Sequence, residues 1–154
     1  QNDNGIFMHD GKPLTGIVYS LAANQKDTVA VSSFVNGKEQ GEWRKYFSNG
    51  RLMERRSYVE GKKTGLYEAW WPDGKKRLLY HFENGEYQGS CRDWDAAGLL
   101  VNDMHYSHGY EEGEQKQFYE NGKVKANYVM KDGRRYGLLG TKNCVNVSDS
   151  VFNK

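Results

Sequence analysis

Glycines recur in this sequence with a period of 24 residues, and this period constrains the fold more than any other feature. One series lies 24 residues apart, a second follows each member by nine residues, and a third follows by twenty. The three series are Gly41, Gly65, Gly89, Gly113 and Gly137; then Gly50, Gly74, Gly98 and Gly122; then Gly61, Gly85, Gly109 and Gly133. Such self-similarity is typical of repeat proteins, in which each unit packs on its neighbours. Before this array, Gly16 opens a first repeat that is one residue longer.

Each repeat has the pattern of a β-hairpin. Between the glycines lie short segments rich in aromatic residues, such as EWRKYFS and KKRLLYHF, which are too short for stable helices. The inner turns contain Asn49-Gly50, Asp73-Gly74, Ala97-Gly98 and Asn121-Gly122, where we expect Asn or Asp to supply a positive φ before the glycine. The outer turns, which join one hairpin to the next, contain Gly61, Gly85, Gly109 and Gly133.

These patterns predict an all-β fold: an elongated, single-layer antiparallel meander of about five 24-residue β-hairpin repeats. Only 37% of the residues are apolar and 27% are charged, with a mean hydropathy of -0.91, which is typical of a thin fold and not of a large core. The predicted organisation is an N-terminal extension at 1–10, the repeat array at 11–140, and a C-terminal tail at 141–154 that caps the last strand edge.

The segments GEWRKYFSNG, GLYEAWWPDG and GEQKQFYENG resemble the MORN (membrane occupation and recognition nexus) repeat variant of bacterial YwqK-family antitoxins. The resemblance covers about 110 to 130 residues. It implies a scaffolding protein, sometimes with lipid contact, and the antitoxin label implies a protein partner. The fourth repeat departs from the pattern, because Cys91 stands where Trp43 and Tyr67 stand in other repeats, and Asp95 replaces the aromatic residue of Phe47, Trp71 and Tyr119.

Cross-strand pairing predicts which side chains share a face. If the opening glycine of each repeat is offset 0 and the inner loop takes offsets 7 to 9, then offsets 5, 11 and 17 lie on one face. We expect this ladder to form the core: Tyr46, Trp70, Trp94 and Phe118; Leu52, Lys76, Leu100 and Val124; Tyr58, Phe82, Tyr106 and Met130. A β-bulge would exchange the faces and make Tyr46, Trp70, Trp94 and Phe118 the alternative binding face.

The opposite face carries large aromatic side chains that a one-layer sheet leaves uncovered. These are Trp43 and Tyr67 at offset 2, and Phe47, Trp71 and Tyr119 at offset 6. An exposed aromatic stripe is typical of an interaction surface, although local packing is an alternative. We therefore predict these five residues as the partner-binding site.

Catalytic and metal-binding patterns are weak. No nucleophile elbow, P-loop or spaced carboxylate pair occurs, so we expect no enzyme, no cofactor and no metal. Of the four histidines, His105 and His108 have metal-ligand spacing only on a helix, and His81 lies one repeat from His105, about 9.6 Å away in a sheet. Similar geometry separates Cys91 from Cys144, so we expect two free thiols.

Three functions remain open at this point. The first is a non-enzymatic protein-binding scaffold of antitoxin type. The second is a binder of lipid head groups or glycans that combines the aromatic residues with a basic patch of Arg51, Arg55, Arg56, Lys62 and Lys63. The third is a small metal- or thiol-dependent protein built on Cys144 and the histidines. The near-neutral charge of +2 gives no reason to expect nucleic acid as a partner, and no apolar run is long enough for a transmembrane segment. Since the sequence begins with Gln1 and not Met, we expect a removed signal segment or a trimmed chain, and hence a periplasmic or secreted protein, with a cytoplasmic location as the alternative.

Overall fold

A computed structural model describes residues 5–24 and 26–139, which form a large open antiparallel sheet and a separate two-stranded sheet and contain no helix. The strands are β1 (Met8–His9), β2 (Lys12–Pro13), β3 (Gly16–Leu21), β4 (Thr28–Val35), β5 (Lys38–Glu39), β6 (Gly41–Tyr46), β7 (Leu52–Val59), β8 (Lys62–Trp70), β9 (Lys76–Glu83), β10 (Glu86–Tyr87), β11 (Gly89–Trp94), β12 (Leu100–Ser107), β13 (Tyr110–Glu111), β14 (Gly113–Phe118), β15 (Val124–Lys131) and β16 (Arg134–Leu138).

The strands follow one another through space in the order of the chain. A 14-stranded sheet runs from β3 at one edge to β16 at the other, with the short strands β5, β10 and β13 paired beside the main path. Every pairing is antiparallel, and each repeat contributes one long hairpin, as in the pair β6–β7. The predicted antiparallel meander of hairpin repeats is therefore confirmed. The predicted tail at 141–154 lies outside the described residues.

The outer turns stack into a column that joins consecutive repeats. Each is a two-residue turn with positive φ at both residues, as at Glu60 (φ 50°) and Gly61 (φ 80°), which is the turn that best suits the twist of a hairpin. The N–H of Gly61 donates a hydrogen bond to Glu39 O at 2.8 Å, and the N–H of Gly85 repeats this bond to Lys63 O at 2.9 Å. Gly37 and Gly109 make the corresponding bonds to Leu14 O and Tyr87 O, so main-chain hydrogen bonds connect these repeats at this end of the strands.

The inner turns differ from the prediction. Positive φ was expected at Asn49 and Asp73, but within these turns only the glycines that follow, such as Gly50 (φ 79°), have it. The N–H of Gly50 donates to Phe47 O at 2.9 Å, and the Asn49 Oδ1 accepts from the N–H of Arg51 at 3.0 Å. The Asn or Asp side chain therefore stabilises a longer loop by hydrogen bonding to the main chain.

A β-bulge follows each inner turn at the same position of every repeat. Tyr46 pairs with Leu52, but Lys45 pairs with Glu54, so Met53 is unpaired. The register of the other long hairpins shifts at the corresponding residues, and the five unpaired residues are Val29, Met53, Arg77, Val101 and Lys125. Because a bulge adds one residue to one strand, it reverses the facing of all residues beyond it.

The bulge makes the predicted core ladder wrong. Tyr46 does face Leu52 across the hairpin, as expected, but Tyr58 pairs with Gly41 and lies on the face of Trp43. Phe82, Tyr106 and Met130 likewise pair with the opening glycine of their repeats. We call this side the inner face, because it holds the buried apolar side chains: Phe34, Tyr58, Ala69, Leu78, Phe82, Cys91, Met104, Ala126 and Tyr128.

The N-terminal residues close one end of the inner face. β1 pairs with β2 across the predicted boundary at residues 10 and 11. The ring of Phe7 packs on Phe34 with centroids 4.6 Å apart, and its N–H donates to Gly37 O at 2.8 Å. A Cβ at Gly37 would overlap the Ile6 side chain and lie 2.7 Å from Phe7 O, so a larger residue does not fit beneath this segment.

Candidate functional site

The inner face is a continuous row of aromatic rings. The Phe82 and Tyr87 centroids are 4.7 Å apart, and those of Tyr87 and Tyr106 are 5.2 Å apart. Tyr67 meets Tyr80 edge-on at 6.0 Å. Such ring pairs add to the stabilisation from apolar burial. The ring contacts run through the repeat that begins at Gly65 and reach Tyr106 of the next one, so they connect two successive hairpins.

Carboxylates hold the phenol groups of this row. Tyr67 Oη donates to Glu54 Oε2 at 2.9 Å, and Tyr80 Oη donates to Asp93 Oδ1 at 2.6 Å. Burial, followed by the hydrogen bond to Asp93, raises the pKa of Tyr80 well above its usual value. Burial and the Glu54 hydrogen bond also raise the pKa of Tyr67. These phenols are satisfied structural groups that remain protonated at neutral pH.

Two predicted binding residues, Trp43 and Tyr67, belong to this packed face. The guanidinium of Arg56 lies 4.0 Å from the Trp43 ring centroid and 5.4 Å from that of Tyr67, between the two rings. Both residues are half-buried. Cation–π stacking of this kind orders all three side chains. Trp43 and Tyr67 therefore contribute to internal packing in the described residues.

The other three predicted residues, Phe47, Trp71 and Tyr119, lie directly after the strands, at the inner turns. Trp71 is half-buried, and its Nε1–H donates to Trp94 O at 3.2 Å, which connects neighbouring repeats. Tyr119 is more open, with 38% of its surface exposed. The five predicted residues thus divide between the packed inner face and the inner turns and do not form one stripe.

The opposite side, the outer face, carries the alternative set at the same position of four consecutive hairpins. We call Tyr46, Trp70, Trp94 and Phe118 the outer aromatic row. They pair across their hairpins with Leu52, Lys76, Leu100 and Val124. All four aromatic residues are half-buried, and no apolar side chain of the described outer face is fully buried. The row therefore covers adjacent side chains while leaving part of each ring in solvent.

Charged side chains surround Trp70 in this row. Glu68 has an 8% exposed side chain and forms ion pairs with Arg55 at 2.6 Å and Lys76 at 2.9 Å. The same two cations lie 5.8 Å and 5.9 Å from the Trp70 centroid. Burial alone would raise the pKa of Glu68, but the hydrogen bonds and charges of Lys76 and Arg55 outweigh it and lower the pKa.

A column of charged residues runs beside the outer aromatic row. Successive strands place Arg44, Arg55, Glu68, Leu79, Arg92, Asp103 and Lys116 opposite one another. Cations outnumber carboxylates in this charged column. Arg44 and Arg55 are directly opposite across β6 and β7, which is unfavourable for like charges. The sequence prediction missed this column, although its 24-residue spacing from Arg44 to Glu68, Arg92 and Lys116 signals a shared position.

The predicted basic patch is not brought together. Arg55 lies on the outer face and Arg56 on the inner face, as their pairing partners Arg44 and Trp43 show. Arg51 is at the inner turn, where its Nη1 donates to Pro72 O at 3.3 Å. Lys62 and Lys63 begin β8 at the other end of the strands. The prediction failed because adjacent residues of a strand face opposite sides.

Open clefts lie where the inner turns meet the outer aromatic row. One, of about 530 Å³, is lined by residues that include Thr28, Tyr46 and Phe47. Another, of about 500 Å³, is lined by residues that include Val101, Phe118 and Tyr119. Both clefts are open, so they suit side chains of a large partner more than an enclosed small molecule.

Cys91 is a buried free thiol on the inner face, and burial raises its pKa. Cys144 lies outside the described residues. The His105 ring is held by Glu114 O at 3.0 Å, and within residues 5–24 and 26–139 no group of three or more His, Cys, Asp or Glu side chains is arranged to hold a metal ion. The same residues include no helix able to cross a membrane.

Comparisons with known proteins bear on the repeat. The family model "MORN repeat variant" matches residues 39–60 and 111–132. No curated protein sequence matches the chain. Among solved structures, the chain is similar to a mutant of the S. aureus protein TarM in complex with Fondaparinux, alpha-GlcNAc-glycerol and UDP, at 14% identity and a TM-score of 0.37. A second TarM crystal structure has 15% identity and a TM-score of 0.36.

In both TarM comparisons the match covers 64% of this chain and only 20% of the TarM chain, so the likeness carries no functional argument. The repeat match is the informative one, because its two segments coincide with the repeat units observed in the sheet. MORN repeats in an open hairpin meander indicate a binding or scaffolding module.

Proposed function

We propose that this chain is a non-enzymatic, protein-binding scaffold that contacts its partner through the outer aromatic row. The supporting observation is the repetition of Tyr46, Trp70, Trp94 and Phe118 at one position of four hairpins, on the face that does not hold the apolar core. Half-buried aromatic residues of this kind are typical anchors of protein interfaces.

The geometry of the row favours an extended or helical protein segment. Equivalent positions are two strands apart, so the aromatic residues follow one another at about 9.6 Å. A flat row with this spacing presents several anchoring points along a line. The open clefts beside Tyr46 and Phe118 would receive further side chains of the same segment.

The cations around Trp70 on the outer face give the partner an electrostatic preference. Arg55 and Lys76 keep 46% and 38% of their side-chain surfaces exposed although both contact Glu68. Carboxylates on a partner would therefore find cations beside Trp70. A segment with alternating apolar and acidic residues fits this surface best. In an antitoxin-type role, as the resemblance to YwqK-family proteins implies, that segment belongs to a toxin protein.

The test is affinity capture followed by measurement of the dissociation constant with each captured protein. Replacing Trp70 and Trp94 by Ala should weaken binding by roughly 30-fold per residue, because a central aromatic anchor is worth about 2 kcal/mol. The matched control is Tyr110→Ala, since Tyr110 is 80% exposed but lies at an outer turn. Binding should also weaken as the salt concentration rises.

Two outcomes would contradict the proposal. One is a captured protein that binds the Trp70 and Trp94 variants as tightly as the wild type. The other is equal loss with Tyr110→Ala. Vesicles of anionic lipid and a panel of glycans should not bind, because the basic residues predicted for such contacts lie on different faces.

A further inference from the structure

The edge strand β3 is exposed and apolar along its length. Within the described residues it pairs with β4 alone, so its other side presents main-chain groups without a strand partner. Ile17, Val18, Tyr19 and Leu21 are 58%, 38%, 59% and 52% exposed. A free edge with such side chains is a template for pairing with another strand.

β3 lacks the features that usually prevent such pairing. Its sequence GIVYSL has no charged residue and no proline. The opposite edge, β16, has the sequence RRYGL and carries Arg134 and Arg135. Charged residues on an edge strand discourage strand addition. Among the described residues, β3 is therefore the edge better suited to receiving another strand.

An apolar groove lies beside β3 on the inner face. It has a volume of about 670 Å³, and its lining includes Phe7, Phe34, Trp43 and Val18. In the part of the chain that the structure describes, no further strand of the main sheet adjoins β3, and the N-terminal residues 7–9 line this side of the groove. The groove is thus a partly covered end of the apolar core, and a strand added at β3 would place side chains beside it.

We propose that β3 pairs with β3 of a second copy of this chain, antiparallel and about a two-fold axis. The strand path has eleven members with antiparallel neighbours, so β3 and β16 run in the same direction. If a second copy were placed edge to edge with the first by translation alone, β3 of one copy would pair with β16 of the other, and the pair would be parallel. An antiparallel β3–β16 pair requires one copy to be turned over. Its outer face would then lie on the same side of the joined sheet as the inner face of the other copy.

Only a pairing of like edges is antiparallel and keeps the inner faces of both copies on one side. A β16–β16 pair would bring Arg134 and Arg135 of both copies together, which is unfavourable. The β3–β3 pair has no charge to repel and extends the apolar core from one copy to the next. The contact involves about six residues from each copy, fewer than the 20 to 30 of a stable interface, so the dimer should have a micromolar dissociation constant.

Sedimentation velocity from about 1 µM to about 1 mM tests this dimer. The wild type should pass from monomer to dimer in this range, and the double substitution Ile17→Lys with Tyr19→Lys should weaken the dimer at least about tenfold, because lysines would face each other. The matched controls are Leu66→Lys and Val129→Lys. These residues are 47% and 42% exposed on the same face, but in strands with a partner on each side, so their dimers should match the wild type.

Hydrogen exchange gives a second measurement that does not depend on a variant. Amides of residues 16–21 in the wild type should become more protected as concentration rises, while those of 134–138 should not. A wild type that stays monomeric, protection that is independent of concentration, or equal weakening by the control variants would overturn the proposal. Because the outer aromatic row does not take part in this contact, failure here leaves the proposed partner binding intact.

Discussion

Gln115 should stabilise the fold through hydrogen bonds that no apolar residue can replace. It stands at the position of Trp43 and Tyr67 in other repeats and has 0% of its surface exposed. Its Oε1 accepts from the His105 N–H at 3.1 Å, and its Nε2 donates to His105 O at 2.7 Å and to Glu112 O at 3.2 Å. The pairing of β12 with β14 is confined to Asn102–Gln117 and Asp103–Lys116, so this side chain joins the two strands beyond the ladder.

The substitution Gln115→Leu keeps the side-chain volume and removes these bonds. A buried N–H without an acceptor costs about 1–3 kcal/mol. His105 O still accepts from the Glu112 N–H at 3.0 Å, so this carbonyl keeps a hydrogen bond and its loss of the Gln115 donor costs less free energy. Burying Leu in place of an amide returns about 1 kcal/mol. The free energy of unfolding should therefore fall by about 1 kcal/mol, as measured by equilibrium urea denaturation.

The matched control is Gln117→Leu. Gln117 lies two residues along the same strand on the same face, but it is only half-buried and pairs through its main chain with Ala126 and Asn102. This variant should change the free energy of unfolding by less than about 0.5 kcal/mol. Equal stability of Gln115→Leu and the wild type, or equal loss in both variants, would refute the assignment of this network as a structural connection.

Three further predictions concern the faces and the ionisable groups. Phe82→Ala should lower the free energy of unfolding by about 3–5 kcal/mol and Trp70→Ala by only about 1 kcal/mol, because Phe82 is 5% exposed on the inner face; the reverse order in thermal unfolding would restore the original face prediction. Stability should fall as the pH rises above about 10, the usual tyrosine pKa, because burial and the bond to Asp93 raise the pKa of folded Tyr80 and the unfolded chain loses its proton first. Tyr80→Phe should reduce this dependence in urea titrations without removing it, because burial also raises the pKa values of Tyr58, Tyr67, Tyr106 and Tyr128. Conversely, the pKa of folded Glu68 is lowered, so its contribution should be present above about pH 4.3 and lost as the pH falls; Glu68→Gln should remove this part of the acid dependence, and an unchanged acid profile would contradict it.

The repeat and the positions of its turns could be predicted from the sequence because glycine recurs where the main chain needs a positive φ. The positions of Gly61 and Gly50 predicted an outer and an inner turn in each repeat, and both turns are present. The division of positive φ between them was not predictable, because both kinds of turn carry Asn-Gly or Asp-Gly pairs, as at Asn84–Gly85 and Asn49–Gly50, and because Glu60 adopts positive φ although Glu rarely does. The stacking of each turn on the preceding one, with Gln40 accepting from the Glu60 N–H at 3.0 Å, supplies the compensation.

The candidate site was predictable only as two alternatives. Alternation along each strand separated Trp70 from Trp71, but the unpaired Arg77 put Phe82 on the face opposite Trp70, which alternation alone did not predict. Bulge residues have no common chemistry here, since Val29, Met53 and Lys125 occupy the same position. Because the signal is positional and not chemical, a single sequence gives no means of finding it.

The bulges also restrict how such an array can change in length during evolution. The two-residue outer turn pairs residues of opposite parity, as Tyr58 with Lys63, and the bulge at Met53 compensates for that change within each repeat. Loss of one strand residue would exchange the inner and outer faces of every later hairpin. Insertions are therefore tolerated within a loop or as a whole 24-residue unit. The extra residue of the first repeat fits this rule, because it lies in the loop between Leu21 and Thr28, where pairing is unaffected.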